Sequence, residues 1–75
     1  MDTFRRLEEL MAKHKMTLYT LSRESGINYS TLRETRRKGR QLSVDTIELA
    51  CAAMDIRPYE FFMTSEDIKE LKERS

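Results

Sequence analysis

Five cations, Arg33, Arg36, Arg37, Lys38 and Arg40, crowd one window of this 75-residue chain, with a single acid, Glu34, among them. A guanidinium is a permanently charged fork of donors that grips paired oxygens, and a lysine ammonium acts as a point charge. Just upstream stand Asn28, Tyr29 and Ser30, polar groups that can donate and accept hydrogen bonds. On a helical wheel Tyr29, Ser30, Arg33 and Arg37 share one face, Glu34 sits at its edge, and Ile27, Leu32 and Thr35 point the other way. Such a face can hold a polyanion through its cations and read a pattern of donors and acceptors through its polar groups.

Little else in the chain offers chemistry. His14 is the sole histidine, no second ligand or nucleophile partner is suitably spaced, and there is no glycine-rich phosphate loop. The expectation is therefore a protein that is not an enzyme and has no metal, cofactor or small-molecule ligand. His14 reads as a boundary residue that suits the end of a helix dipole. Cys51, a lone cysteine in an apolar-periodic segment, reads as a small core residue.

The net charge of +1 conceals an asymmetry. Residues 1–27 carry net +1, residues 28–42 net +4 and residues 43–75 net −4. Basic charge is thus focused on one stretch, and the acidic last third belongs away from any polyanion. Hydrophobic residues at 39% and charged residues at 36%, with two glycines and one proline, describe one small helix-rich domain. So short a chain has a thin core, which dimerisation often reinforces. The start, MDTFRRLEEL, has no apolar run of signal or membrane-span length, which suggests a cytoplasmic protein with no membrane partner.

The elements that must position the cationic face can be read from periodicity and punctuation. A first helix over about 2–14 aligns Phe4, Leu7, Leu10 and Met11. A second, capped by Thr17, turns Leu18, Leu21 and Ser22 inward and stops at Gly26. Asn28 caps a third that runs to about Arg36. Ser43 caps a fourth whose buried face is predicted as Val44, Ile47, Ala50, Cys51 and Met54. Pro58 opens a fifth, with Ile56 and Phe61 placed as a hydrophobic staple. Thr64 or Ser65 could cap a short sixth, EDIKELKERS, with only Ile68 and Leu71 apolar. The reading divides the chain into a body over 1–63 and a C-terminal helical extension over 64–75.

Residues 7–62 resemble the lambda-repressor/Cro-like helix-turn-helix family, also called the XRE family. The resemblance is carried by Leu21 and Ser22, Gly26 and Ile27, the run from Asn28 to Leu32, the run from Ser43 to Ile47, and the stretch Ala50 to Ile56. It implies an all-α fold, a compact five-helix DNA-binding domain whose third helix enters the major groove of double-stranded DNA. Members usually carry Ala at Ser22, a larger apolar residue at Ser25, Pro at Leu42 and Gln at Leu18. Where this chain has Met11 and Arg36, members often pair an Arg with a Glu. Losing both leaves no orphaned charge and gives Arg36 to the basic cluster.

In such a complex Asn28, Tyr29, Ser30, Arg33 and Glu34 would be the base-reading candidates. Arg33 suits guanine O6 and N7, Ser30 can donate or accept, Tyr29 can meet a thymine methyl or a phosphate, and Glu34 can accept from cytosine N4. Glu34 could equally pair with Lys38 four residues on. Thr17, Arg36, Arg37, Lys38 and Arg40 would lie on phosphates. Family members usually bind as two-fold dimers on inverted repeats, so a homodimer is expected. Leu49 and Ala53, beside Ala52 on the fourth helix, together with Phe62 and Met63, offer apolar surface for it. A small bacterial or phage regulator, most simply a repressor, is the implied function. The alternative is a helix-turn-helix protein-interaction module, such as an antitoxin or partner domain; an apolar outer face on the third helix would have favoured it.

Overall fold

A side-chain oxygen closes the start of each of the first four helices. In the computed structural model, which describes residues 1–63, these are α1 (Thr3–Lys13), α2 (Leu18–Ser25), α3 (Tyr29–Lys38) and α4 (Val44–Ala53), followed by a single turn, α5 (Pro58–Phe61). Asp2, Thr17, Asn28 and Ser43 accept from the backbone N–H groups of Arg5, Thr20, Thr31 and Thr46 at 3.1, 3.1, 3.2 and 3.1 Å. Each bond satisfies one of the donors that a helix start leaves free. α5 lacks a side-chain cap and begins on Pro58, which has no N–H to satisfy. The described residues are all-helical, as expected; the sixth helix and the 64–75 extension lie outside them.

The core is built from the same junctions. Before each cap from α2 onward stands an apolar residue, and five positions later, in the first turn, stands another: Met16 and Leu21, Ile27 and Leu32, Leu42 and Ile47, Ile56 and Phe61. These are the positions of a hydrophobic staple, and all eight residues belong to the core or pack against it. Phe4, Leu7, Leu10 and Met11 of α1 and Ala50, Cys51 and Met54 of the α4 segment complete the cluster. α2 packs on both α3 and α4, and α5 closes over α1 and α4. Burial, with the charges of Glu60 and Glu48, pushes the Cys51 thiol up, consistent with an unreactive core cysteine.

Val44 departs from the prediction. It is 65% exposed, while Leu42, outside the helix, is buried. The staple explains the exchange: Leu42 precedes the Ser43 cap and fills the space beside Ile47, so the first residue of α4 is turned outward. α3 also runs past Arg36 to Lys38, because Gly39, at φ 64°, is what ends it. Leu18 and Ser22 are only partly buried.

Two of the helix ends use glycine in the left-handed region, Gly26 after α2 and Gly39 after α3. The ends of α1 and α4 place Lys15 and Asp55 there, both at φ 55°. After α1, the N–H of Met16 reaches the Met11 carbonyl at 2.8 Å and that of Lys15 the Ala12 carbonyl at 3.2 Å. After α4, Ile56 and Asp55 make the same pair of bonds to Cys51 and Ala52 at 3.0 and 3.2 Å. Both are Schellman ends with an apolar residue folded back onto the core.

Arg6 is the one buried charged side chain among the described residues, 6% exposed. Its Nε donates to the Phe61 carbonyl at 2.7 Å and one terminal nitrogen to the Glu60 carbonyl at 2.8 Å. The other terminal nitrogen pairs with Glu9 at 3.2 Å. The guanidinium of α1 thereby takes up the Phe61 carbonyl and reinforces that of Glu60, which the Met63 N–H reaches at only 3.4 Å. No helix among the described residues is long and apolar enough to cross a membrane.

Two stability changes are expected. Arg6→Met, which keeps the apolar stem and removes the donors, should cost about 2–4 kcal/mol because buried carbonyls lose charged partners. A urea midpoint equal to the parent's would show that water replaces the guanidinium there. Lys15→Gly should raise stability by about 0.5–1 kcal/mol by relieving the left-handed backbone; a lower midpoint would contradict it.

Candidate nucleic-acid interface

The turn between α2 and α3 is fixed through one residue. The Ser22 hydroxyl donates to the Ile27 carbonyl, and Ser25 Oγ accepts from the Ile27 N–H at 3.1 Å. Both positions depart from the family pattern, where carbon side chains are usual. Here the hydroxyls satisfy both backbone groups of Ile27 while its side chain enters the core. With Ile27 and Leu32 anchored, the orientation of α3 about its own axis is set. Tyr29, Ser30, Thr31, Arg33, Glu34, Arg36, Arg37 and Lys38 are exposed, and Thr35 is half-buried with its hydroxyl donating to the Thr31 carbonyl at 2.8 Å.

The cations on this surface are not equivalent. Glu34 holds Arg37, whose Nε donates to Oε2 at 3.2 Å and whose terminal nitrogen makes a second, close contact with Oε1. Lys38 Nζ lies 3.4 Å from the same Oε1. The pairing with Lys38 predicted from spacing is present, and Arg37 joins it three residues from Glu34. The Arg37 guanidinium first, then Lys38 and the fields of Arg40 and Arg33, hold the Glu34 carboxyl below the usual carboxylate range despite some opposing desolvation. In return Glu34 raises Arg37 further above its ordinary value.

Among the described residues Arg33, Arg36 and Arg40 take part in no ion pair. The Arg33 guanidinium instead lies over the ring of Tyr29, 5.8 Å from its centroid. Tyr29 meets Tyr19 of α2 edge to face, with ring centroids 5.9 Å apart. One shallow groove is lined by Ser30, Arg33, Arg36 and Arg37, another by Thr31, Thr35, Lys38 and Arg40, and Glu34 borders both. Arg36 is in no ion pair among the described residues and Met11 is buried, so the Arg–Glu pair that members of the resembled family often carry at these positions has no counterpart here.

Thr17 and Asn28 use their side-chain oxygens as caps. Asn28 therefore keeps its two amide N–H donors wholly for another partner. Downstream of α3, Gln41 forms a seam with the start of the chain. Its Oε1 accepts from the N–H and the hydroxyl of Thr3 at 2.8 and 2.7 Å, and its Nε2 donates to the Met1 carbonyl at 2.8 Å. Thr3 Oγ1 also accepts from the Leu42 N–H at 2.7 Å. Sequence reasoning overlooked Tyr19 and Gln41. An aromatic one residue into α2, at the level of Tyr29, was the available sign of the first; a glutamine contacting backbone has none.

Of the apolar residues set aside for a second copy, Leu49 and Phe62 are exposed and Met63 is half-buried. Ala53 is also half-buried and packs against the core, so it contributes less free surface than its wheel position suggested. Phe62 stands edge-on to the buried Phe61, with centroids 5.3 Å apart.

The sequence model of the Cro/C1-type HTH DNA-binding domain matches residues 6–67, most of the chain. No curated protein and no solved structure matches it significantly. Because Glu34 occupies two cations on this face, Glu34→Gln should strengthen binding to random-sequence duplex DNA. The fall of log K with log salt should steepen by about one unit. Titrations across a salt series measure this, and an unchanged slope would mean that the acid does not restrain Arg37 and Lys38.

Proposed function

The chain belongs to the Cro/C1-type helix-turn-helix DNA-binding family, and from that premise we propose that it is a sequence-specific transcriptional regulator acting as a homodimer on an inverted repeat. The observation that carries this reading is the exposed outer face of α3, which presents Ser30 and an Arg33 that is in no ion pair among the described residues, while Ile27 and Leu32 hold its inner face in the core. Polar and cationic groups on a rigid helix suit base edges in the major groove. Arg33 is the base reader, with Ser30 and the Asn28 amide beside it. Tyr29 supports Arg33 more than it reads.

Arg36 and Arg40, in no ion pair among the described residues, provide the first phosphate contacts, and Arg37 and Lys38, shared with Glu34, add weaker ones. Charge of this kind sets register and affinity without specifying sequence. Occupancy of an operator would follow the protein's own concentration or a partner. Repression by blocking access is the simplest output of such a binder.

The dimer reading rests on the exposed Leu49 and Phe62, with Met63 alongside. Two copies joined there would present two α3 helices to half-sites roughly one helical turn, about 34 Å, apart. Selection of bound duplexes from a random pool tests both parts of the reading. An enriched inverted repeat is expected; a single short motif would remove the dimer, and no enrichment would remove sequence specificity. Arg33→Ala should relax the preference at one base pair of each half-site and cost roughly 1–3 kcal/mol in binding to the selected site. Identical selected sequences from parent and variant would dismiss Arg33 as the reader.

A further inference from the structure

We infer that Tyr19, a residue of α2, is a positioning residue for base recognition: with Tyr29 it forms an aromatic seat that orients the Arg33 guanidinium. This rests on the reading of Arg33 as a base contact. The first observation is geometric. Arg33 lies over the face of Tyr29, and Tyr29 meets Tyr19 at an interplanar angle of 78°. Three side chains from two helices thus form a continuous stack that ends in a cation.

The second observation is that the core does not account for it. Tyr19 is 58% exposed and Tyr29 39% exposed, and neither belongs to the buried cluster. Tyr29 is the first residue of α3 and Arg33 lies four residues on, so the two share a face of the helix. A ring on a first turn can adopt other rotamers; Tyr19 fills the space on its α2 side and keeps its face under the guanidinium. An arginine loses considerable rotamer freedom when its fork must meet guanine in one plane. A seat formed before binding reduces that loss, and it does so only for the base pair that Arg33 reads.

The effect separates from that of a phosphate contact. A tyrosine hydroxyl on a phosphate would help all sequences alike and contribute to salt dependence. A seat for Arg33 changes discrimination and leaves the salt slope alone. The test compares Tyr19→Phe, Tyr19→Ala, Arg33→Ala and the Tyr19→Ala/Arg33→Ala double variant of the whole chain. Each is titrated with the selected duplex, with duplexes substituted at the base pair assigned to Arg33, and with random-sequence DNA.

Tyr19→Phe, which keeps the ring, should match the parent throughout. Tyr19→Ala should lose roughly two- to fivefold of the discrimination at that base pair, with random-sequence affinity and salt slope unchanged. It should lose nothing further in the Arg33→Ala background. Parental discrimination in Tyr19→Ala, a uniform loss across all duplexes, or a reduced salt slope in Tyr19→Phe would each overturn the assignment. If Arg33→Ala itself leaves base preference intact, the reading of Arg33 fails and the seat with it. An effect of Arg33→Ala with a silent Tyr19→Ala confines the failure to Tyr19.

Discussion

None of these helices is long enough to stand alone. They span 11, 8, 10, 10 and 4 residues, and isolated helices below about 12–15 residues are marginal in water. What the last four of these share is a fixed start, where an apolar residue before the cap and another in the first turn reach into one core. That constraint decides most of the architecture, because a helix pinned at its first turn has its rotation about its own axis settled. For α3 the consequence is direct. Ile27 and Leu32 face inward, and the row from Ser30 to Arg37 is left to solvent.

The opposite problem, how helices end, is met with polar chemistry of several kinds. α2 and α3 spend a glycine each, while α1 and α4 tolerate a lysine and an aspartate in the same backbone region. α5, a single turn, relies on Arg6. Burying a guanidinium is costly unless its donors are met, and here two of its three partners are carbonyls rather than carboxylates. The arginine and glutamate that family members often pair are replaced by Met11 and Arg36, and Arg6 is the buried cation among the described residues. It joins α1 to α5.

Much of this was legible beforehand because it rests on side-chain type at short range. Thr17, Asn28 and Ser43 announce caps, Gly26 announces a turn, and the apolar spacing of α1 gives its inner face. The exposed row of α3 follows from the same periodicity. Legibility fails where backbone is the partner or where two residues compete for one space. Arg6 bonds carbonyls 54 and 55 positions away, and a carbonyl has no signature in sequence. Leu42 and Val44 both fit a periodic reading of α4, and only the geometry of the cap selects the former. Lys15 in a left-handed conformation carries no mark at all, since lysine is common in every setting. On the candidate interface the charges were readable but their pairing was not. Glu34 had one partner by spacing and has two by geometry.

The seam between Gln41 and the start of the chain bears on the thermodynamics of ligand capture. Arg40 lies in the connection between α3 and α4, the kind of segment that usually pays conformational entropy when it closes on a partner. Here that connection is stitched to Met1 and Thr3 by four hydrogen bonds before any partner arrives. The ordering cost is met during folding, so charge contributed by this stretch acts with little entropic offset at the moment of association. The heat of binding should then reflect desolvation and ion exchange at the basic surface more than the freezing of a loop.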